Sequence, residues 1–194
     1  MFAQAMKRTP ASQRPALLRI IILFDLENCT ISLGNTYGPG ESQLGARLAR
    51  LRSWLERNFG HVLGGFVFSP AHIGEHYLTV CRRNNLFVIF CPKECLEIPE
   101  YEIKKGKMIT VRDTVDSTLM EFGKMMFDHS DANCLCLVSG DDDFVPLLEA
   151  AKERNIKRII VPPTLGSLSK RAKGLVRLAD QENGRKLVFP LDRM

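Results

Sequence analysis

Short apolar runs of strand length alternate along this chain with segments of helical periodicity. The runs are LRIIILF (18–24), VLGGFVF (62–68), LFVIF (86–90), CLCLV (134–138) and IKRIIV (156–161). Because they are almost continuously apolar instead of alternating with polar residues, they indicate strands buried on both faces, as in a parallel sheet covered by helices. The sequence therefore predicts an α/β fold, a doubly wound and mostly parallel sheet with right-handed crossovers.

The segments between these runs carry apolar residues at three- and four-residue steps, as one face of a helix requires. The first helical pattern runs from Leu44 to Phe59, and Gly60 after it suits a helix C-cap. Two more run from Val115 to Met126 and from Phe144 to Ala151. We expect a basic helix over about 168–179 and a short strand KLVF (186–189) to end the chain.

Length and composition favour one domain. The chain has 194 residues, 45% hydrophobic and 25% charged, enough to bury one sizeable core. We predict a disordered basic tail over 1–17 and a domain over 18–190. The sequence contains no run of about 20 apolar residues and no apolar signal-peptide core, so we expect no membrane partner. The six cysteines lack a framework spacing and indicate free thiols in a reducing cytoplasm.

Acidic residues follow two of the predicted strands directly. FDLEN places Asp25 after the first strand, and SGDDDF places Asp141 to Asp143 after the fourth. In open parallel sheets, ligands bind beyond the carboxyl ends of the strands, where the strand order reverses. Asp116 adds a third acidic point at a predicted helix start. Crowded carboxylates repel each other unless a cation or a helix N-terminus compensates, so the pattern predicts either a metal site or helix caps.

The cap interpretation remains open for most of these acids. Asp113 or Thr114 would be a natural N-cap, and Asp116 would then lie in the first turn of its helix. Asp143 could likewise cap a helix that begins near Phe144. Asp25 has no obvious cap to make at the end of an apolar strand, and it therefore favours the metal interpretation.

Three motifs in order, DLEN, TVDSTL and LVSGDDDFVPLLEAAKERNIKRIIV, resemble the NYN domain, in the LabA-like branch of the PIN-like nucleases. The resemblance spans about 18–163 and implies a five-stranded sheet in the order 3-2-1-4-5 with helices on both faces. It also implies a catalytic set with divalent-metal ligands Asp25, Asp116, Asp141 and Asp143, supported by Asn28 and Ser139. The sequence departs from the family at Asp142, where many relatives have a small residue, and at Phe122, where many have an acid.

The implied function is that of a metal-dependent endoribonuclease acting on single-stranded or flexible RNA. Mg²⁺ or Mn²⁺ would suit the site, because these hard cations prefer carboxylate oxygens and leave positions for phosphate. One alternative is an RNA-binding or regulatory adaptor with weak catalysis. Another is a phosphatase of the haloacid dehalogenase type with Asp25 as nucleophile, although Glu27 stands where that family has its second aspartate.

Basic residues are concentrated late in the chain. Between Lys152 and Arg177 there are eight Lys and Arg residues against Glu153 alone, which indicates either a surface for a polyanion or a solvated helix face. The candidates for gripping RNA phosphates are Lys104, Lys105, Lys107, Arg112, Lys170, Arg171 and Lys173. Tyr37, in the predicted loop LGNTYGPGE, could stack a base. The sequence leaves a homodimer open.

Overall fold

A computed structural model describes residues 17–38, 41–70, 74–92, 94–96, 110–112, 114–174 and 187–194. Its strands are β1 (Leu18–Asp25), β2 (Gly60–Pro70), β3 (Phe87–Cys91), β4 (Glu94–Leu96), β5 (Thr110–Arg112), β6 (Cys134–Val138) and β7 (Lys157–Ile160). Its helices are α1 (Leu26–Tyr37), α2 (Glu41–Asn58), α3 (Glu75–Arg83), α4 (Val115–His129) and α5 (Val145–Glu153). Residues 170–174 are also helical.

The main sheet has five parallel strands in the order β3-β2-β1-β6-β7. β4 and β5 form a separate antiparallel pair. Without that pair, the order is the predicted 3-2-1-4-5, so the predicted fold class is confirmed. The strand order reverses between β1 and β6, and a ligand crevice is expected beyond the carboxyl ends of these two strands.

Alternation along β1 decides which side chains face which helix layer. Ile20, Ile22 and Phe24 pack in the core under α1 and α2, whereas Ile21 and Leu23 pack in the core under α4 and α5. By the same alternation, Asp25 continues the row of Ile21 and Leu23. The carboxylate at the end of β1 is therefore on the α4 side of the sheet.

The helix α1 was not predicted. It begins directly after β1 without a loop, and Tyr37, expected in a loop, is its last residue. The hydroxyl of Tyr37 donates to Asp192 Oδ2 at 2.9 Å, which ties the end of α1 to the C-terminal segment. Tyr37 thus has a structural contact, and its base-stacking role stays a prediction.

Two other local predictions need correction. Gly60 does not cap α2, which ends at Asn58; it is the first residue of β2 and lies against the backbone of Leu18. In the predicted strand KLVF, the described part forms a single parallel bridge, between Val188 and Ile160. Residues 1–16 of the predicted tail and 175–179 of the predicted basic helix lie outside the described residues.

The cysteines whose side chains are described are free thiols, and all are buried: Cys29, Cys81, Cys91, Cys134 and Cys136. Burial raises the pKa of Cys81 and of Cys134 to about 12, so these thiols stay protonated and unreactive. Among the described helices, none is long and apolar enough to span a membrane.

Candidate metal and nucleic-acid site

Asp25 is buried at the junction of β1 and α1, with 4% of its surface exposed. Its Oδ1 accepts a hydrogen bond from the backbone N–H of Asn28 at 3.1 Å, so it is the N-cap of α1. Its Oδ2 accepts from the hydroxyl of Ser139 at 3.1 Å. The expectation that Asp25 has no cap to make is wrong, because α1 begins at the next residue.

Further hydrogen bonds join this junction to the end of β6. The side-chain Oδ1 of Asn28 accepts from the backbone N–H of Gly140 at 3.2 Å. Ser139 Oγ accepts from the backbone N–H of Asp141 at 3.2 Å while it donates to Asp25. Asn28 and Ser139 therefore hold the Asp25 carboxylate and the start of the Asp141 loop in one fixed arrangement.

Electrostatics show which other carboxylates approach Asp25. Burial raises the pKa of Asp25 to about 7, although its bonds from Asn28 and Ser139 lower it; the charges of Asp116 and Asp141 raise it further. A carboxylate with this pKa is stabilised by any cation that replaces its missing hydration. Three separate elements thus bring negative charge together at the switch point of the sheet.

Asp116 reaches this position because α4 packs closely on the sheet. Val115, Leu119 and Gly123 form the buried face of α4, and a Cβ on Gly123 would lie 3.0 Å from Leu23 Cδ1 of β1. Glycine at this position permits the close approach. Asp116, half-buried in the first turn of α4, therefore lies at the carboxyl edge of β1.

The predicted cap of α4 is not formed by Thr114. Thr114 occupies the N-cap position without a side-chain cap bond, and its hydroxyl donates instead to the Pro92 carbonyl at 2.7 Å. Asp113 lies outside the described residues. Asp116 in the first turn still interacts favourably with the helix dipole, so a structural contribution accompanies its place in the cluster.

The three consecutive aspartates differ in their surroundings. Asp141 is half-buried and caps the 3₁₀ turn Asp142–Phe144, accepting from the backbone N–H of Asp143 at 3.2 Å. Asp142 is exposed and accepts from the hydroxyl of Ser169. Asp143 is exposed, and it does not cap α5, whose N-cap is Phe144. Of these three, Asp141 is the one whose charge raises the pKa of Asp25.

Gly140 is needed for a close backbone contact. A Cβ there would lie 2.8 Å from the carbonyl carbon of Ser167, and the Gly140 carbonyl accepts from the Ser169 N–H at 3.1 Å. Its φ is not positive, so a sharp turn is not what requires glycine. The absent side chain instead makes room for the segment after β7.

The predicted phosphate-gripping residues are only partly described. Lys170, Arg171 and Lys173 are exposed on the helical segment that follows Ser169. Lys104, Lys105 and Lys107 lie outside the described residues, and for Arg112 only the backbone is described.

The basic surface is also smaller than the charge count suggests. Arg158 is buried, with 7% of its surface exposed. Arg154 forms an ion pair with Asp128, with Nε and Oδ1 2.9 Å apart. Neither arginine is therefore a freely exposed charge for a polyanion.

An aromatic side chain fills the helix position where the resemblance to the NYN domain leads us to expect another acid. The ring of Phe122 lies 4.7 Å from that of Phe66 and 5.6 Å from that of Phe68, measured between centroids. Glu121, the neighbouring acid, is exposed. Because Phe122 packs in this aromatic cluster, the expected extra carboxylate is absent at this position.

The donors at the switch point suit a hard divalent cation. Among the described residues, no three His, Cys, Asp or Glu side chains form a ready-made metal group. Mg²⁺ commonly binds through one or two protein carboxylates and keeps several waters for exchange with phosphate oxygens. The buried Asp25, with Asp116 and Asp141 acting on it, provides carboxylate donors of this kind, so the residues present fit such an ion.

One solved structure and one family model agree with this architecture. No curated protein matches the chain. A solved structure of a protein of unknown function from Vibrio parahaemolyticus is 17% identical, covers 84% of this chain and 91% of its own, and has a TM-score of 0.59; it shows a similar fold. The tetrameric inhibited form of phosphofructokinase-2 from Escherichia coli is 13% identical, with coverages of 89% and 72% and a TM-score of 0.43. Residues 92–181 match the family model of the NYN domain, which has a PIN-like fold of the nuclease type.

Proposed function

We propose that this protein is a metal-dependent nuclease of the LabA-like NYN branch, an endoribonuclease that cleaves single-stranded or flexible RNA in the cytoplasm. The observation that carries the proposal is the convergence of Asp25, Asp116 and Asp141 from β1, α4 and the β6 loop. Ser139 joins Asp25 to the Asp141 loop by hydrogen bonds, and the charges of Asp116 and Asp141 act on Asp25. In a nuclease-type fold, this crevice is where a phosphodiester would bind.

The family match and the hydrogen bonds support different halves of the site. The match over 92–181 includes Asp116, Ser139 and Asp141 but neither Asp25 nor Asn28. Those two residues are joined to the matched part by the bonds from Ser139 to Asp25 and from Gly140 to Asn28. We therefore assign both halves to one catalytic centre.

In this proposal, Asp25, Asp116 and Asp141 would hold Mg²⁺ or Mn²⁺, and Asp143 would join them from the exposed rim. The bound cation would supply Lewis-acid chemistry, polarising a phosphoryl oxygen and activating a water. Ser139 and the Asn28 N–H occupy one site on each oxygen of Asp25. A carboxylate has about four lone-pair sites, so both oxygens keep capacity for a ligand while their orientation is fixed.

Cationic side chains would hold the flanking RNA phosphates. Lys170, Arg171 and Lys173 follow Ser169, and their segment packs against Gly140 beside the carboxylates. We assign Lys104, Lys105, Lys107 and Arg112 to the same role from the sequence. Their contribution would be electrostatic and salt-dependent, without sequence selectivity.

The geometry disfavours the phosphatase alternative. A nucleophilic aspartate needs an accessible oxygen aligned with the phosphorus atom. Asp25 has 4% of its surface exposed, so neither of its oxygens is open for in-line attack on the phosphorus atom of a bound phosphate ester. An orienting or metal-holding role suits such a carboxylate better than nucleophilic attack.

Cleavage of end-labelled single-stranded RNA, with Mn²⁺, with Mg²⁺ or with EDTA, tests the proposal. We expect internal cuts that require the cation and disappear in Asp25→Asn and Asp141→Asn. Asp131→Asn removes an exposed acid just before the amino end of β6, away from the proposed site, and this variant should cleave RNA like wild type. Release of terminal phosphate alone would indicate a phosphatase, and binding without turnover would indicate an adaptor.

A further inference from the structure

We propose that Asp142 is a positioning residue, which anchors the segment of Lys170, Arg171 and Lys173 through Ser169 and so places these cations beside the carboxylate site. The inference rests on the proposed nuclease function. It assigns to Asp142 a role distinct from those of its neighbours Asp141 and Asp143. Nothing in the sequence alone links Asp142 to Ser169, which lies 27 residues later.

The anchor consists of three hydrogen bonds centred on Ser169. The Ser169 hydroxyl donates to Asp142 Oδ1 and accepts from the backbone N–H of Ala172 at 3.1 Å. The Ser169 backbone N–H donates to the Gly140 carbonyl at 3.1 Å. Asp142 thus fixes the hydroxyl that caps the first turn of the cationic segment.

The core holds the apolar side of this segment, whereas its cationic side is exposed. Leu168 and Ala172 are buried in the core, whereas Lys170, Arg171 and Lys173 are exposed. Three neighbouring cations repel one another. An ionised acceptor at the head of the segment forms a stronger bond than a neutral one and offsets part of this repulsion.

Chain connectivity makes the anchor a distance constraint. Asp142 follows Asp141, whose carboxylate belongs to the proposed metal site, and Ser169 precedes Lys170. Only Asp142, Ser169 and the hydrogen bond between their side chains therefore separate Asp141 from Lys170. An RNA whose phosphates contact both groups would be held in register for cleavage, the positioning that raises effective concentration at a reacting centre.

Substitutions at Asp142 distinguish anchoring from charge by the sign of their effect. If Asp142 acted through its charge alone, its removal would tighten RNA binding, because an anion beside a polyanion site is repulsive. Anchoring predicts the opposite for Asp142→Ala. Asp142→Asn keeps an acceptor oxygen for Ser169 and removes the charge, so it should bind RNA more tightly than Asp142→Ala.

The first experiment measures the Kd of a fluorescent single-stranded RNA in EDTA at several salt concentrations. We expect Asp142→Ala and Ser169→Ala to weaken binding roughly threefold to tenfold, by loss of one charge-assisted hydrogen bond, and to flatten the salt dependence. Ser169→Thr keeps a hydroxyl and should bind RNA like wild type. The double variant with Asp142→Ala and Ser169→Ala should bind RNA no more weakly than the weaker of the two single variants. Asp131→Ala is the matched control for lost charge and should not weaken binding.

Steady-state cleavage in Mn²⁺ and amide hydrogen exchange complete the test. Asp142→Ala should raise KM by the same factor as Kd and keep kcat within a fewfold of wild type. In this variant the amides of Ala172 and Lys173 should exchange faster than in wild type. If wild type cleaves RNA but Asp142→Ala matches Asp131→Ala in affinity and exchange, the inference is overturned and the nuclease remains. If wild type neither binds nor cleaves RNA, the proposed function fails and this inference fails with it.

Discussion

At the scale of single residues, Asp25 combines two functions that conflict in the absence of a cation. As an N-cap it satisfies the N–H of Asn28 and stabilises α1. As a buried acid near Asp116 and Asp141 it is costly to ionise, and its pKa is raised from an ordinary 3.8 to about 7. A bound cation would lower the free-energy cost of ionising Asp25 and so would stabilise the folded protein.

This conflict predicts a stabilising substitution in EDTA. The folded state binds the Asp25 proton more tightly than the unfolded state. The contribution of this proton to the free energy of unfolding is therefore fully present below about pH 4 and is lost as pH rises through about 7. Asp25→Asn keeps an acceptor for the cap and never ionises, so it should exceed wild-type stability at about pH 8 by a few kcal/mol, at about 1.4 kcal/mol per pKa unit. Urea unfolding across this range measures the gap, which should close toward pH 4. An equal gap at both ends would contradict the raised pKa.

The three consecutive aspartates predict unequal losses of cleavage. Asp142→Ser should retain single-turnover cleavage within about tenfold at saturating RNA and Mn²⁺, or ~1.4 kcal/mol in barrier height, because Asp142 contacts Ser169 and not the proposed ion. Asp141→Ser and Asp143→Ser should each lose far more. Since Asp143 is exposed at the rim, raising Mn²⁺ above the concentration that saturates wild type should recover part of the activity lost in Asp143→Ser and none of that lost in Asp141→Ser. If Asp142→Ser is as inactive as Asp141→Ser, the ligand assignment within this turn is wrong.

At the scale of elements, periodicity in the sequence predicts the five strands of the sheet and the helices α2, α4 and α5. It fails at α1, where Asn28, Thr30 and Gly34 interrupt the apolar pattern and the helix follows β1 with no intervening turn. The missed helix is also why Asp25 seemed to have no cap to make. Asp25 both ends β1 and caps α1. The apolar pattern of the sequence indicates the end of the strand but not the start of the helix.

Two glycines should respond oppositely to alanine. Gly140→Ala would place a Cβ 2.8 Å from the Ser167 carbonyl carbon, so the segment before Ser169 must move, at a cost of about 1–3 kcal/mol, as in overpacking. Gly34→Ala has open space around its Cβ and should stabilise α1 by about 0.5–1 kcal/mol. Urea unfolding compares them, with RNA affinity expected to fall for Gly140→Ala alone. A neutral Gly140→Ala would show that this contact does not hold the cationic segment.

At the scale of the whole molecule, the sequence predicts that acids gather at one edge but not how they are held. Strand order places Asp25 and Asp141 at the switch point, and the resemblance to NYN domains implies that order from the sequence alone. The contacts from Ser139 to Asp25 and from Gly140 to Asn28 each span more than a hundred residues, as does the bond from Tyr37 to Asp192. Local patterns carry no signal for such pairs, because each partner alone looks like an ordinary cap or loop residue.

The converging carboxylates predict that the whole fold is stabilised by a divalent cation. A ligand that binds only the native state stabilises it by about 2.7 kcal/mol at a hundred times its Kd, so millimolar Mg²⁺ or Mn²⁺ should raise the Tm over a control matched in ionic strength with KCl. Protons compete with the cation for Asp25, whose pKa is about 7, and the rise should therefore be larger at about pH 8 than at about pH 5. Asp25→Asn and Asp141→Asn should each reduce it, whereas Asp131→Asn should leave it unchanged. If neither cation shifts the Tm of wild type at either pH, Asp25 and Asp141 act as helix caps and the proposed metal site is wrong.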